Sequence, residues 1–311
     1  MFLFTPRILQ LSAHSNKTYD HVRQNINTML TRKCNIRYGT VLTPSFAKLI
    51  DAVPPTDADF NNTTLFSKTR VVETPEQLSL RRPSLSAILS AISDQKALYA
   101  WQKAKIDEMG LSAFKSYMTE RMTLGTNTHS RVEEMLKTGH DESSLTQLID
   151  SVKNIAIKNY MKSALPVILE IQNPETSVCE KSVRHPTLAY QGRFDAVVQY
   201  KNNWCILDWK TSPAQSTFSK QGEESLSYLT YVRQLAAYAS AFNHDHRHQS
   251  YPIVKQGLLV SLKEDGTPAE VYEIPEDGLE QTFEDVKSKL KEFWAKVMST
   301  DLNNIDFAYR P

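Results

Sequence analysis

Three cysteines are all that this 311-residue chain contains, and they stand far apart at Cys34, Cys179 and Cys205. No C-x-x-C pair occurs, so neither a disulfide framework nor a structural zinc site is suggested. Three thiols also fall short of the set that an all-cysteine iron–sulfur cluster requires. No apolar run approaches the roughly 20 residues of a membrane span; Leu165–Ile171 is among the longest, and Pro166 lies inside it. No G-x-x-x-x-G-K-[ST] loop occurs, so no ATP-driven motor is built in. Internal repeats are absent, and the formal net charge is only +1, so global charge does not announce a nucleic-acid binder.

What is present is ordinary in bulk and uneven in detail. Hydrophobic residues make up 41% and charged residues 23%, the composition of a globular chain. The length suits one large domain or two small ones. Residues 1–50 carry seven cations (Arg7, Lys17, Arg23, Arg32, Lys33, Arg37 and Lys48) against the single acid Asp20, a local net charge of +6. A basic, hydroxyl-rich, acid-poor start is the composition of an organellar transit peptide, and equally of a disordered basic tail. Residues 1–60 are therefore set apart from the rest, and Asp57–Thr64 is expected to be a loop.

Helical periodicity begins near Pro83. Ser84 can cap a helix through Leu85, Ile88, Leu89 and Ile92, and Asp94 can open a second that ends near Gly110. A third starts at Ser112. Gly125 is expected to interrupt it before the pattern resumes through Val132 and Leu136 to Gly139, and a fifth helix covers Ser144–Met161. The period then changes. A short strand over Ser177–Val183 precedes Tyr190–Tyr200 and Trp204–Trp209, which Lys201-Asn202-Asn203 joins as a tight hairpin. A helix over about Ser225–Phe242, a hairpin (Ile253–Leu262, Ala269–Ile274) and a helix over about Glu280–Met298 follow. The sum is an α/β or α+β domain, a mixed sheet flanked by helices with a helical insertion in front.

The chemistry concentrates in Gln191-Gly-Arg-Phe-Asp195 and Ile206-Leu-Asp208-Trp-Lys210-Thr-Ser212. Strand alternation puts Asp208 and Lys210 on one face, and the hairpin brings Asp195 alongside. Two carboxylates can bind a hard divalent ion, and an ammonium can meet a phosphate. An isolated Asp-x-Lys is usually a surface ion pair of little energetic weight. Here Ile206 and Leu207 place Asp208 at the end of a buried strand, where an unpaired charge is costly and a metal would relieve it. His244-Asp-His-Arg-His248 invites a zinc reading, but between a helix and Tyr251-Pro252 it reads as a polar connecting loop.

Gly125-x-x-x-His129, Glu180, Gly192-x-x-Asp195, Asp208-Trp-Lys210-Thr and Gln234-x-x-x-Tyr238 follow in an order that resembles the RecB-like branch of the PD-(D/E)XK nucleases. Within that branch, Pro83-Ser84-Leu-Ser-Ala-Ile, Gln215-Ser-Thr-Phe218, Asn243-His-Asp245 and Gly257-Leu-Leu-Val260 are similar to the family of mitochondrial genome maintenance exonucleases. The resemblance implies a restriction-endonuclease-like core in residues 61–311, with a helical wall over about 83–165 and a catalytic core over about 125–300. It implies Asp195, Asp208 and Lys210 as catalytic residues and His129, Asp195 and Asp208 as metal ligands. Glu133, Glu180, Gln234 and Tyr238 take supporting or substrate-binding roles. The cofactor would be Mg²⁺ or Mn²⁺, with neither an iron–sulfur cluster nor ATP.

The implied activity is hydrolysis of single-stranded DNA from ends, on flaps and linear fragments of mitochondrial DNA. The implied setting is a monomer in the mitochondrial matrix, beside replication proteins. A structure-specific endonuclease, or a binding protein that keeps the fold without hydrolysis, are the competing readings. A single strand needs cations along its phosphates and aromatics under its bases. Arg70, Arg81, Arg82, Lys96, Lys103, Lys105 and Arg121, with Tyr99, Trp101, Phe114 and Tyr117, offer both.

Overall fold

A computed structural model describes residues 52–67, 70–94, 96–212 and 223–298 of the chain. The basic segment before Ala52 and the Gln215–Phe218 stretch lie outside the described residues. At the centre is the expected hairpin. Lys201 (φ 47°) and Asn202 (φ 65°) both take the left-handed conformation, the pattern of a two-residue turn whose twist matches the flanking strands. It joins β3 (Gln191–Tyr200) to β4 (Asn203–Ser212). β4 therefore runs beyond the expected Trp209, and Asp208 sits inside the strand. β1 (Ile171–Gln172) and β2 (Val178–Arg184) share the outer edge of β3. On the other side β4 pairs in parallel with β5 (Gln256–Lys263), and β5 pairs antiparallel with β6 (Glu270–Ile274). The sheet is mixed, as expected. β5 is buried along most of its length, which is why its sequence is a continuous apolar run rather than an alternation.

Helices cover both faces. α8 (Glu223–His244) makes the crossover between parallel β4 and β5 and packs with α3 (Leu85–Ile92) and α9 (Glu276–Met298) on one face. That face is filled by Phe194, Val197, Ile206, Leu235, Phe242 and Phe293. The opposite face holds α5 (Leu111–Thr138), α6 (Glu142–Ser151) and α7 (Ile155–Glu170), closed by Met135, Tyr160, Ala196, Leu207 and Trp209. α1 (Asp57–Asn62), α2 (Pro75–Ser79) and α4 (Lys96–Met109) complete the helices among the described residues. No helix among them is long and apolar enough to cross a membrane.

Three local expectations give way. Asp57–Thr64 is not a loop: the Thr56 side chain accepts from Asp59 N–H while Asp59 accepts from Thr56 N–H, a reciprocal cap that nucleates α1 and buries Phe60. Gly125 does not interrupt α5, which runs unbroken for 28 residues. One internal glycine costs about 1 kcal/mol, which a long helix packed through Val132, Met135 and Leu136 absorbs. The single helix over Ser144–Met161 is two, because the Asn154 side chain accepts from Ile157 N–H and starts α7 afresh.

Candidate active site

The sheet comes apart in a controlled way where the carboxylates lie. β2 and β3 pair as Val178–Val197, Cys179–Ala196, Lys181–Phe194 and Ser182–Arg193, and the pair that register leaves out is Glu180 with Asp195. Glu180 is left-handed at φ 51°, a conformation that costs a non-glycine residue roughly 1–3 kcal/mol and tends to be kept at functional sites. Side chains on β3 change phase at the same level. Phe194 faces the α8 layer, and Ala196 faces the α5 layer, where strict alternation would put both on one side. Pairing of β3 with β4 also stops at Ala196–Leu207. Asp195 is thus freed from the ladder, and its Oδ2 accepts from Trp209 N–H of β4 at 2.8 Å.

From the α5 side comes His129, whose Nδ1 stands 3.2 Å from Asp195 Oδ1. Burial alone would lower the imidazole's pKa, but the hydrogen bond and charge of Asp195, with Asp208 behind it, bring it above the ordinary value. Glu180 completes the group: one ligand atom each from His129, Glu180 and Asp195 lie within 4.8 Å of one another. Burial and the neighbouring Asp195 raise the Glu180 pKa, while Arg193 at 2.6 Å opposes the rise.

Asp208 and Lys210 share a strand face, as alternation required, and lie 2.6 Å apart from Oδ2 to Nζ. Burial pushes Asp208 up to about 6, with Lys210 pulling it down and Asp195 pushing it up. Burial would strip the Lys210 proton, but Asp208 and Asp195 hold it on and raise the pKa. Behind Lys210, Gln234 Oε1 of α8 lies at 3.4 Å, and Gln234 Nε2 donates to Tyr238 Oη at 3.1 Å. Tyr231 lies one turn before Gln234, with its ring centroid 4.5 Å from Lys210 Nζ. No motif in the sequence marks Tyr231; the signal that could is its i, i+3 spacing from Gln234. Gly192 has a steric duty: a Cβ there would stand 2.2 Å from Tyr238 Cε1.

The structure therefore brings His129, Glu180, Asp195, Asp208, Lys210, Gln234 and Tyr238 into one region. Glu133 stays at its margin, one turn along α5, with its carboxylate 2.7 Å from Lys137. Asp208 is separate from the three-residue group and is turned to Lys210. Its buried Oδ2 is already neutralised by the Lys210 ammonium, so the case for a metal rests on the donors of the His129–Glu180–Asp195 group. Carboxylates with one imidazole are donors suited to a hard divalent ion.

The proposed strand-binding wall is thinner than the sequence suggested. Phe114 is fully buried, with Trp101 edge-on at 6.0 Å, and Arg82 is buried against Glu73. Arg70 donates to main-chain carbonyls of Asn243 and His248. Tyr99 and Trp101 do remain exposed on α4, Tyr99 on the face that carries Lys96 and Lys103 and Trp101 on the side turned to Phe114. The His244–His248 stretch connects α8 to β5 as expected, but as a short 3-10 turn capped by Asp245 with His244, Asp245 and His248 buried.

A model of the PD-(D/E)XK nuclease superfamily matches residues 95–307. Three curated proteins named mitochondrial genome maintenance exonuclease 1 are similar to the chain. The human protein is 25% identical over 240 residues, covering 75% of this chain and 65% of that one. The mouse protein is 27% identical over 214 residues (65% and 57%), and the Xenopus tropicalis protein 28% over 193 residues (61% and 51%). The chain thus spans between half and two thirds of the length of these relatives. Among solved structures, one titled "Crystal structure of SSO0001" aligns over 68% of this chain and 79% of that chain at 16% identity, with a TM-score of 0.30; so low a score carries no argument.

Proposed function

This chain belongs to the PD-(D/E)XK nuclease superfamily, and on that premise we propose that it is a divalent-metal-dependent exonuclease that hydrolyses single-stranded DNA from free ends. The observation that carries this reading is the convergence of His129, Glu180 and Asp195, with ligand atoms within 4.8 Å, beside the Asp208–Lys210 pair. His129, Asp195 and Asp208 would hold a Mg²⁺ or Mn²⁺ ion, with Glu180 as a further donor. A bound ion would polarise a phosphate oxygen and favour deprotonation of the attacking water.

The chain's own groups do the positioning. Lys210, kept charged by Asp208 and steadied by Gln234 and Tyr231, presents a fixed ammonium to the charge that develops on the phosphate. Asp195 orients the His129 ring and is itself fixed by Trp209 N–H. Exposed Tyr99, with Lys96 and Lys103 on the same face of its helix, gives the helical wall a surface on which a base can stack and phosphates can rest. The names of the human, mouse and frog relatives support a mitochondrial address and a task in genome maintenance; displaced flaps and linear fragments of mitochondrial DNA, met beside replication proteins, are the substrates that an end-dependent single-strand exonuclease would take there. The basic first 50 residues are consistent with that address.

The test is incubation with end-labelled single-stranded and duplex DNA, in Mg²⁺ and in EDTA, beside Lys210→Ala. Shortening of the single strand in Mg²⁺ alone, lost in the variant while binding persists, is expected. Activity in EDTA or in Lys210→Ala overturns the mechanism, and efficient cutting of a hairpin-capped duplex overturns the requirement for an end.

A further inference from the structure

A cavity of about 250 Å³ opens on the outer side of β2, walled by Val178, Lys181, Ser182, Arg247, His248 and Tyr251. Its existence follows from the left-handed Glu180. In an even strand Val178 and Lys181 would face opposite sides, and the phase slip at Glu180 turns both onto one. The same residue that turns its carboxylate toward His129 and Asp195 therefore also builds this cavity, one residue further along the strand.

The lining is ordered for an anion with an aromatic face. Arg247 is held flat by Asp245, with Nε 3.0 Å from both carboxylate oxygens and Nη2 at 2.5 Å. Asp245 is buried and is itself fixed by Arg184 N–H at 3.2 Å. This chelate leaves Arg247 Nη1 without an acceptor among the described residues. Lys181 is exposed and has no ion-pair partner among them either. Lys181, Arg184, Arg247 and the nearby Arg82 stand against Asp245 and Glu73, so the neighbourhood of the cleft keeps net positive charge. Tyr251 adds a part-exposed ring, supported from behind by Phe242 at 6.0 Å between centroids.

We propose that this cleft is a second nucleotide subsite. Lys181 and Arg247 would take a phosphodiester, and Tyr251 would stack on the base, of a single strand whose reacting end lies at the His129–Glu180–Asp195 group. The inference rests on the nuclease reading and deepens it. Lys181 follows Glu180 by one strand rise of about 3.4 Å, but the cleft opens on the α8 face and the Glu180 carboxylate on the α5 face, so the bound strand would cross the free edge of β2 to reach both. β2 is then a rail: its kinked residue serves the reacting phosphate and its next residues hold the chain.

The test uses the full chain and fluorescein-labelled oligothymidylates of about 2 and about 10 nucleotides, with anisotropy read in EDTA so that no cleavage intervenes. Lys181→Glu is expected to weaken the longer strand about ten-fold and to lower the salt slope by about 0.7, the value for one phosphate contact on a single strand. Tyr251→Leu, which keeps the contact with Phe242, is expected to cost about five-fold or more. Neither variant should change affinity for the shortest strand or the melting temperature. Wild-type affinity and salt slope in both variants overturn the subsite. Failure of the wild-type chain to shorten any strand in Mg²⁺ overturns the nuclease reading instead, and the anisotropy arm still decides whether the cleft holds nucleotides.

Discussion

Replacing Gly192 by alanine should damage the site through one side chain that it never touches chemically. Gly192 lies in extended β3 opposite Val183, with no left-handed backbone, so alanine brings no conformational strain there. The whole cost is contact. The new Cβ would lie 2.2, 2.8 and 3.0 Å from Cε1, Cζ and Oη of Tyr238. An ordinary carbon–carbon contact is about 3.5–4.0 Å, so the ring must move by more than 1 Å. Tyr238 is only 5% exposed and cannot swing into solvent. Overpacking of this kind costs about 1–3 kcal/mol, and the size of the overlap puts Gly192→Ala at the upper end. Displacing Tyr238 also removes the Gln234 Nε2 hydrogen bond and loosens the support of Lys210, so activity should fall further than the stability loss explains.

A double-mutant cycle isolates the cause. Tyr238→Ala alone should cost about 3–5 kcal/mol, and independent sites would make the double variant worse by a further 2–3. Because the alanine methyl would occupy space that the ring vacates, the double variant should instead be as stable as Tyr238→Ala or slightly better. Denaturant unfolding of the four proteins reads the coupling directly. Additivity within about 0.5 kcal/mol would refute the steric argument and, with it, the reason given for glycine at this position.

Metal binding should be visible without catalysis. At 100 times its dissociation constant a divalent ion adds about 2.7 kcal/mol of stability, a melting shift of roughly 5–10 °C for a domain of this size, and Glu180→Gln or Asp195→Asn should abolish the shift. Acid should destabilise the fold through its buried histidines, with the raised pKa values of Asp208, Glu180 and His129 offsetting part of the loss. Burial holds His185 well below 6.5, with His244 and Arg82 adding to the effect, and burial also lowers His244 and His248. The unfolded chain takes up these protons near 6.5 and the folded chain does not. Stability is therefore intact above about pH 6.5 and falls below it, by up to about 1.4 kcal/mol per pH unit for each histidine; an unfolding midpoint that holds steady between pH 7.5 and 5.5 would count against this. Asp245→Asn should cost about 1–3 kcal/mol, because it removes the negative charge and replaces one of the two oxygens that Arg247 and the Arg184 N–H share with an amide that cannot accept; a melting temperature equal to that of the parent would contradict it.

Much of the site could be read from residue order because strand geometry leaves little choice. Asp208 and Lys210 are two residues apart, so one face had to carry both, and Lys201-Asn202 had to bring Asp195 near them. Gln234 and Tyr238 are one helical turn apart, and they do meet. These are short-range facts, decided by periods of two and 3.6 residues. Helix interruptions were less legible. Glycine at 125 and asparagine at 154 are both poor helix formers, and whether a helix passes through one or restarts at it depended on packing and on a side-chain cap.

The sequence by itself determined the fold class, the partners within each hairpin and the identity of the acids and the amine, because each rests on local periodicity and on side-chain chemistry that travels with the residue. Tertiary structure alone decided three things. It put Glu180 in a left-handed conformation that a glutamate does not choose unaided, and so set it opposite Asp195. It brought His129 from a helix on one face of the sheet, and Gln234, Tyr231 and Tyr238 from a helix on the other, to the same strand ends. It also buried Asp208, which raises its pKa and holds the Lys210 proton in place. Burial and backbone strain are properties of what surrounds a residue, and those surroundings come from segments too distant in the chain for any local pattern to encode.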